Sequence, residues 1–356
     1  MMRAVPLLIG LAGMASAVPA VVHPGEAFDE KRTVVWTPLF QTAWDEMNGA
    51  LDGPPKESGS ELMKALDRFD WDSGAVMPEG GWEAWAGPST DAQLAKARKR
   101  ATELFGEEVE VLPDFEPADG VILSFGAMLA EVDFEKELQD SDGHPMTFVD
   151  GSGRESPVEF FGVEQAKAED YRRHVRVLAW RPHAGFMALE LRGKERATGS
   201  VILFQPPEIL DFSTACRWIR KWRADWDVLS GGDHGKHTDR SLHLRDQVRV
   251  PKLAIVSDEG LSGRLRGSRI YAGSSMPWTI GEAWQRVEFG IDEKGARVKA
   301  ATAVDLVPLG PMPTPSTVPR DFIFDEPFFV FMWRDGADWP YFGAWIGDAG
   351  GMTVVE

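Results

Sequence analysis

Three histidines stand close together in and after Gly231-Gly232-Asp233-His234-Gly235-Lys236-His237-Thr238-Asp239: His234, His237 and, further on, His243. With Asp233 or Asp239, His234 and His237 could form a zinc site, because neutral imidazole and carboxylate are ordinary zinc ligands. The stretch is rich in glycine and polar residues and has no helical or strand period to fix ligand geometry. A solvated turn fits it better, and no metal is assigned. Cys216 is the chain's one cysteine, so no intrachain disulfide and no CxxC site can form. It falls in a helical pattern and reads as a small buried residue. No GxSxG elbow, HExxH, P-loop or GxGxxG is present. Paired carboxylates mean little in a chain with 56 acidic residues. No catalytic constellation emerges, so neither an enzyme nor a cofactor is expected.

Basic and aromatic residues cluster in three places. Lys96, Arg98, Lys99 and Arg100 lie in the second half of a helix that Thr90-x-x-Gln93 opens as a capping box and Gly106 ends. They complement the helix dipole, a simpler role than a polyanion site. Trp218, Trp222 and Trp226 recur at four-residue spacing after a cap at Ser213, among Arg217, Arg220, Lys221 and Arg223. Aromatic and basic residues together can stack on nucleic acid, but this spacing is also the buried stripe of an amphipathic helix. The Trp-rich stretch 71–86 could stack on sugars; loop-anchoring aromatics are the commoner use. The chain's 38 basic and 56 acidic residues leave a net charge of −18. A field of that sign repels phosphate backbones, so no nucleic-acid partner is expected.

The elements that would position a site follow from patterning. Arg3, the apolar run Val5 to Met14 and Ala15-Ser16-Ala17 read as a secretory signal peptide over residues 1–17, with cleavage as late as residue 20. That run is too short to span a bilayer. A secreted chain, extracellular or periplasmic, is therefore expected. Val34 to Trp36 reads as a strand, Pro38 as a break, Leu39 to Ala50 as a helix and Glu61 to Phe69 as another; residues 51–60 and 70–89 read as loop. From residue 120 strands take over: Val121 to Phe125, Met146 to Val149, Val158 to Phe161, Val175 to Trp180, Phe186 to Leu191, Val201 to Phe204, Val248 to Val256, Arg286 to Ile291, Phe328 to Trp333 and Tyr341 to Ile346. Helices first and many strands later suggest an α+β domain.

Residues 286–334 are the most telling. After the turn Asp292-Glu293-Lys294-Gly295, the alternate positions Ala296, Val298, Ala300, Thr302, Val304 and Leu306 are small or apolar, while Arg297 and Lys299 fall between them. This is a period-two strand pattern with one dry face. It runs into Pro308-Leu309-Gly310-Pro311-Met312-Pro313-Thr314-Pro315-Ser316-Thr317-Val318-Pro319, which is too proline-rich for a helix or central strand. A spare strand, held outside a sheet, thus leads into a stiff exposed loop.

Here the chain resembles the serpin family. Ile291-Asp292-Glu293-Lys294-Gly295 and the small residues after it look like the hinge of a reactive-centre loop, with Glu293, Lys294, Gly295, Ala296, Val298, Ala300 and Thr302 in hinge positions. Phe324, Asp325, Pro327 and Phe328 resemble the family's carboxy-terminal signature, with Glu326 in place of the usual residue. Thr37-Pro38-Leu39, the hairpin from Phe148 to Val158, Val201 to Pro206 and Val250 to Leu253 are weaker matches. The family's shutter positions hold Phe125 or Gly126 and Gln285 instead of Asn and His.

The resemblance implies one domain over residues 30–350, with a large mixed central sheet, a smaller barrel-like sheet, helices mainly from the N-terminal half and an exposed reactive-centre loop at about 293–321. It implies a monomer that inhibits serine proteases without catalysing a reaction. The protease attacks the loop and forms an acyl-enzyme, and the freed hinge then adds as a strand to the central sheet. The roughly fourteen residues from Gly295 to Leu309 would span about 46 Å at ~3.3 Å each. By the family's count the reactive bond is Leu309–Gly310, with Met312 the other choice. Leucine there suits a chymotrypsin- or elastase-like protease. The alternative is a serpin-fold protein that binds or supports and no longer inhibits.

Overall fold

Continuous apolar runs build the centre of the molecule. The computed structural model describes residues 18–50, 60–105, 120–195, 197–230, 240–260, 269–270, 278–298 and 319–355. Strands are numbered β1 to β20 and helices α1 to α5 along the chain. The first sheet has the order β1 (Ala20–Val21), β2 (Val34–Trp36), β20 (Phe342–Ile346), β19 (Phe328–Trp333), β12 (Ser200–Gln205), β11 (Phe186–Arg192) and β10 (Val175–Arg181). Every residue of β19 and β20 is buried, as expected of strands covered on both faces.

The second sheet holds β3 (Trp82–Pro88), β4 (Val121–Met128), β5 (Ala130–Asp133), β14 (Leu253–Gly260), β15 (Arg269–Ile270), β16 (Trp278–Ile291) and β17 (Gly295–Val298). Its long strand β16 pairs with β14 along eight residues. The stacked rings of Phe289 on β16 and Phe342 on β20, 4.3 Å apart, join the two sheets. A third sheet has the order β18 (Asp321–Ile323), β13 (Gln247–Pro251), β9 (Phe160–Val163) and β6 (Gln139–Asp140), and β7 (Met146–Val149) with β8 (Glu155–Val158) forms a hairpin.

Four helices come early: α1 (Leu39–Ala50), α2 (Glu61–Arg68), α3 (Ser73–Val76) and α4 (Asp91–Phe105). α1 lies against β3 and β4 on one face of the second sheet. A side chain at Gly126 of β4 would meet the backbone oxygen of Leu39 at 3.0 Å, so the glycine lets the helix come close. On the opposite face Leu94, Ala97 and Ala101 of α4 cluster with Trp85, Phe125 and Ala127. Thr90 caps α4 through its hydroxyl, which accepts from the Gln93 N–H at 3.3 Å. The long α5 (Phe212–Ser230) sets Trp218 and Trp222 on Phe186 and Phe204, so these two tryptophans form the expected core stripe.

Some element expectations are corrected. Residues 70–89 are not loop: they hold α3, capped by the Asp72 side chain, and β3, whose tryptophans face a helix. The residue capping α5 is Asp211, whose carboxylate accepts from Thr214 N–H at 2.6 Å; Ser213 lies inside the first turn. The apolar run 248–256 is two strands that break at Lys252 and serve different sheets. The run 158–161 likewise divides at Glu159.

The start of the described chain acts as a strap. Ala20 and Val21 pair in parallel with Val35 and Trp36 of β2. Just before them, the Val18 N–H donates to Val256 O at 3.3 Å and Val18 O accepts from the Ser257 hydroxyl at 2.6 Å, both on β14.

Candidate functional site

The segment singled out by its small residues begins in a tight turn. The Asp292 carboxylate accepts from the N–H groups of Lys294 and Gly295 at 2.8 and 3.3 Å. The turn's carbonyls are held from the opposite side: Leu138 N–H donates to Glu293 O and Phe134 N–H to Lys294 O, at 2.7 and 2.9 Å. The Glu293 carboxylate lies 3.4 Å from the Lys252 ammonium, which also meets Asp140 at 2.7 Å and Glu159 at 3.7 Å. Burial opposes the charge on Lys252, but the Asp140 hydrogen bond and the Glu293 charge outweigh it and hold the ammonium above its ordinary range. The break at Lys252 thus supplies one cation to three acids, and Glu293 fixes the start of the segment to it.

From Gly295 the chain enters the second sheet. Gly295, Ala296, Arg297 and Val298 lie opposite Asp133, Val132, Glu131 and Ala130 of β5, and Ala296 and Arg297 lie opposite Ile291 and Gly290 of β16. β17 therefore stands between β5 and β16 at one end of the sheet. This corrects the expectation of a strand held outside it: the first four residues of the segment are already paired. The reason lies in the residues. A side chain at Gly295 would meet Val132 O at 2.2 Å, so only glycine can approach β5 so closely. Ala296 is fully buried on the dry face beside Val132 and Ile291, as the alternation predicts. Arg297 points to the other face, half-buried, with its Nε 3.2 Å from the Glu131 carboxylate.

Glu131 carries the strongest electrostatic signature of this site. Burial, then the neighbouring Asp133, pushes its carboxyl up to about 6; Arg297 and Lys194 oppose the shift. Lys194 is paired to Asp133 at 3.7 Å. Further along the sheet β16 turns to a different partner. Thr279, Ile280 and Ala283 pair directly with Val121, Ile122 and Ser124 of β4 in parallel. The sheet is thus held apart by β17 at one end and closed on itself at the other.

Ala300, Thr302, Leu309 and Gly310 lie outside the described residues, as do Pro308 and Met312. So do residues 1–17 and His234, His237, Asp233 and Asp239. His243 is buried and its N–H donates to Asp246 at 2.7 Å, a structural role. Among the described residues, no group of three or more His, Cys, Asp or Glu is placed to hold a metal, and no helix is long and apolar enough to cross a membrane. The four signature residues come together at the turn before β19. Phe324 and Phe328 are fully buried with rings 5.2 Å apart, Asp325 O accepts from Val149 N–H at 2.8 Å, and Pro327 leads into the strand. Sequence reading missed Glu131, Lys194 and Lys252. The alternation Ala130-Glu131-Val132-Asp133 carried a signal for the first, two acids on the outward face of a short strand.

No family model matches the chain, and no curated protein matches it. Solved structures do. The chain is similar to the thermophilic serpin tengpin in its native state, at 12% identity and a TM-score of 0.55 over 95% of this chain and 99% of that one. It is similar to Serpin48 of the insect Tenebrio molitor, described as highly specific, at 13% identity and 0.51 over 89% and 92%. It is also similar to human thyroxine-binding globulin complexed with its hormone, at 10% and 0.52 over 91% and 93%.

Proposed function

We propose that this chain, which has the serpin fold in a divergent sequence, is a secreted inhibitor of serine proteases that works by loop cleavage and strand insertion. A fold alone does not fix function, and proteins of this shape include both an inhibitor and a hormone carrier. The observation that carries the reading is β17: the hinge segment is already lodged between β5 and β16, with small residues on the dry face.

Continued in the same register, Lys299 to Ala303 would lie opposite Glu288 to Trp284 of β16. Ala300 and Thr302 would then face inward like Ala296, and Lys299 would lie across from Glu288. From Val304 onward, insertion must displace the parallel pairs between β4 and β16. A cut at Leu309–Gly310 frees enough chain for this. New ladder bonds at roughly 0.5–1.5 kcal/mol each then drive the strand home, carrying the acyl-linked protease with it. The native state is kinetically trapped until that cut. Leu309 as the bait residue points to a protease of chymotrypsin- or elastase-like preference. In this reading the chain is consumed in the reaction and is no catalyst.

The second reading is a binding protein that no longer inhibits. It is favoured by the direct β4–β16 pairing, which resists deep insertion. Incubation with chymotrypsin- and elastase-type proteases separates the two. A complex stable to denaturant, together with a large rise in melting temperature after loop cleavage, supports inhibition. Cleavage with neither result refutes it.

A further inference from the structure

At the point where β17 enters the sheet, one ionic contact spans the strands. Arg297 and Glu131 are directly opposed in register, their Nε and Oε1 are 3.2 Å apart, and neither atom has an aligned hydrogen-bond partner. The contact is therefore a bare charge pair at the edge of a forming ladder, and most of what Glu131 feels there is set by whether β17 is present. We propose that Glu131 and Arg297 form an ionic gate, in which ionised Glu131 resists the docking of the segment and Arg297 is the positioning residue that offsets it. The gate rests on the insertion reading above and adds to it an acid dependence that nothing in the strand pattern alone supplies.

The charges around the gate are few. On β5 Asp133 shares the outward face with Glu131, and Lys194, from the chain after β11, is tied to Asp133. On β17 the facing charge is Arg297. Across β17, β16 presents Gly290 opposite Arg297 and the exposed Glu288 on the same face. Two acids and two bases surround a site that docking covers, and Glu131 is the acid held away from its ordinary range by burial and Asp133.

The sign follows by linkage. Glu131 holds its proton more tightly with the segment docked than in open solvent, where it titrates near 4.5. Between about pH 6 and that value the docked form therefore takes up the extra proton. Docking is weakest at neutral pH and strengthens as pH falls through 6. A tenfold difference in proton affinity between the docked and open forms is worth a tenfold change in the docking equilibrium. Because the site is partly solvated, the expected gain from pH 7.5 to 5.5 is on the order of tenfold.

Amide hydrogen exchange of the full chain, corrected to intrinsic rates, reads the gate without any protease. In the native protein the protection factor of the 296–298 amides should rise about tenfold from pH 7.5 to 5.5. Glu131→Gln should give high protection that is flat with pH. Arg297→Gln should lose about tenfold at pH 7.5 and recover by pH 5.5, and Arg297→Lys should restore the native profile. Amides of the β11–β12 ladder report whether a variant is globally folded. A flat native profile overturns the gate even if every variant unfolds; so does a Glu131→Gln profile that follows the native one, or an Arg297→Gln profile equal to native at both pH values. A chain that shows the gate but traps no protease and gains no stability on cleavage refutes the inhibitor reading and leaves the gate standing.

Discussion

Replacing Ala296 by Glu tests whether β17 is held by a dry face. Ala296 has no solvent exposure and sits between Val132 and Ile291. β17 gains pairing at four residues on the β5 side and two on the β16 side. At about one ladder bond per paired residue and ~0.5–1.5 kcal/mol each, the gross gain is roughly 3–9 kcal/mol before the entropy of ordering four residues is subtracted. A carboxylate buried at position 296 without a partner costs several kcal/mol, which is enough to cancel the net gain. Ala296→Glu should therefore expel β17 at neutral pH and leave the rest of the second sheet intact, because β4 and β16 hold each other further along. The 296–298 amides should lose their exchange protection at pH 7.5, and loop cleavage should no longer raise the melting temperature. Ala296→Ser, which adds only a small hydroxyl, should keep both. Native-like protection and a full rise in melting temperature in Ala296→Glu would refute the argument, because a strand that tolerates a buried charge is not held by its dry face.

Three further outcomes are expected. Asp246 is fully buried and accepts from Arg320 Nε at 3.0 Å, Arg320 Nη2 at 2.7 Å and the Arg320 N–H at 2.8 Å; Arg320→Ala strands that carboxylate and should lower stability by about 3–5 kcal/mol in denaturant unfolding. Phe289→Ala removes one of the stacked rings between the first and second sheets and should cost about 3–5 kcal/mol in the same assay, with broadened melting if the sheets loosen. Cys216 is fully buried, and burial holds its thiol well above the ordinary range; it should resist a thiol reagent in the native state and react only on the timescale of unfolding, which makes an added surface cysteine a clean labelling site.

Much of this arrangement was legible in the sequence because local pattern and final environment agree. Leu39 to Ala50, Met146 to Val149 and Phe328 to Trp333 match the structure residue for residue. In each, one local rule decides: a helical period after a proline, or an unbroken apolar run. The misses lie where tertiary partners override local rules. The tryptophans of 82–88 looked like loop anchors because their helical neighbours, Leu94, Ala97 and Ala101, come from a separate segment. Strand β16 begins eight residues earlier than its apolar run suggests, since its first part is held by β4 and β15 instead of by its own hydrophobic alternation. The site itself was half legible. The small residues after Gly295 were visible, but that they are already in the sheet depends on Val132 O, Glu131 and Lys252, which are distant in sequence and ordinary in composition.

The strap at the start of the described chain makes export processing a structural matter. A leader cut after Ala17 leaves Val18 in place to stitch the edge of the sliding sheet to the sheet that stays fixed. A cut after residue 20 discards that stitch and half of the two-residue ribbon beside β2. Three residues at the cleavage point would then separate a mature protein with a tethered outer strand from one whose outer strand is free to shift when the central one arrives.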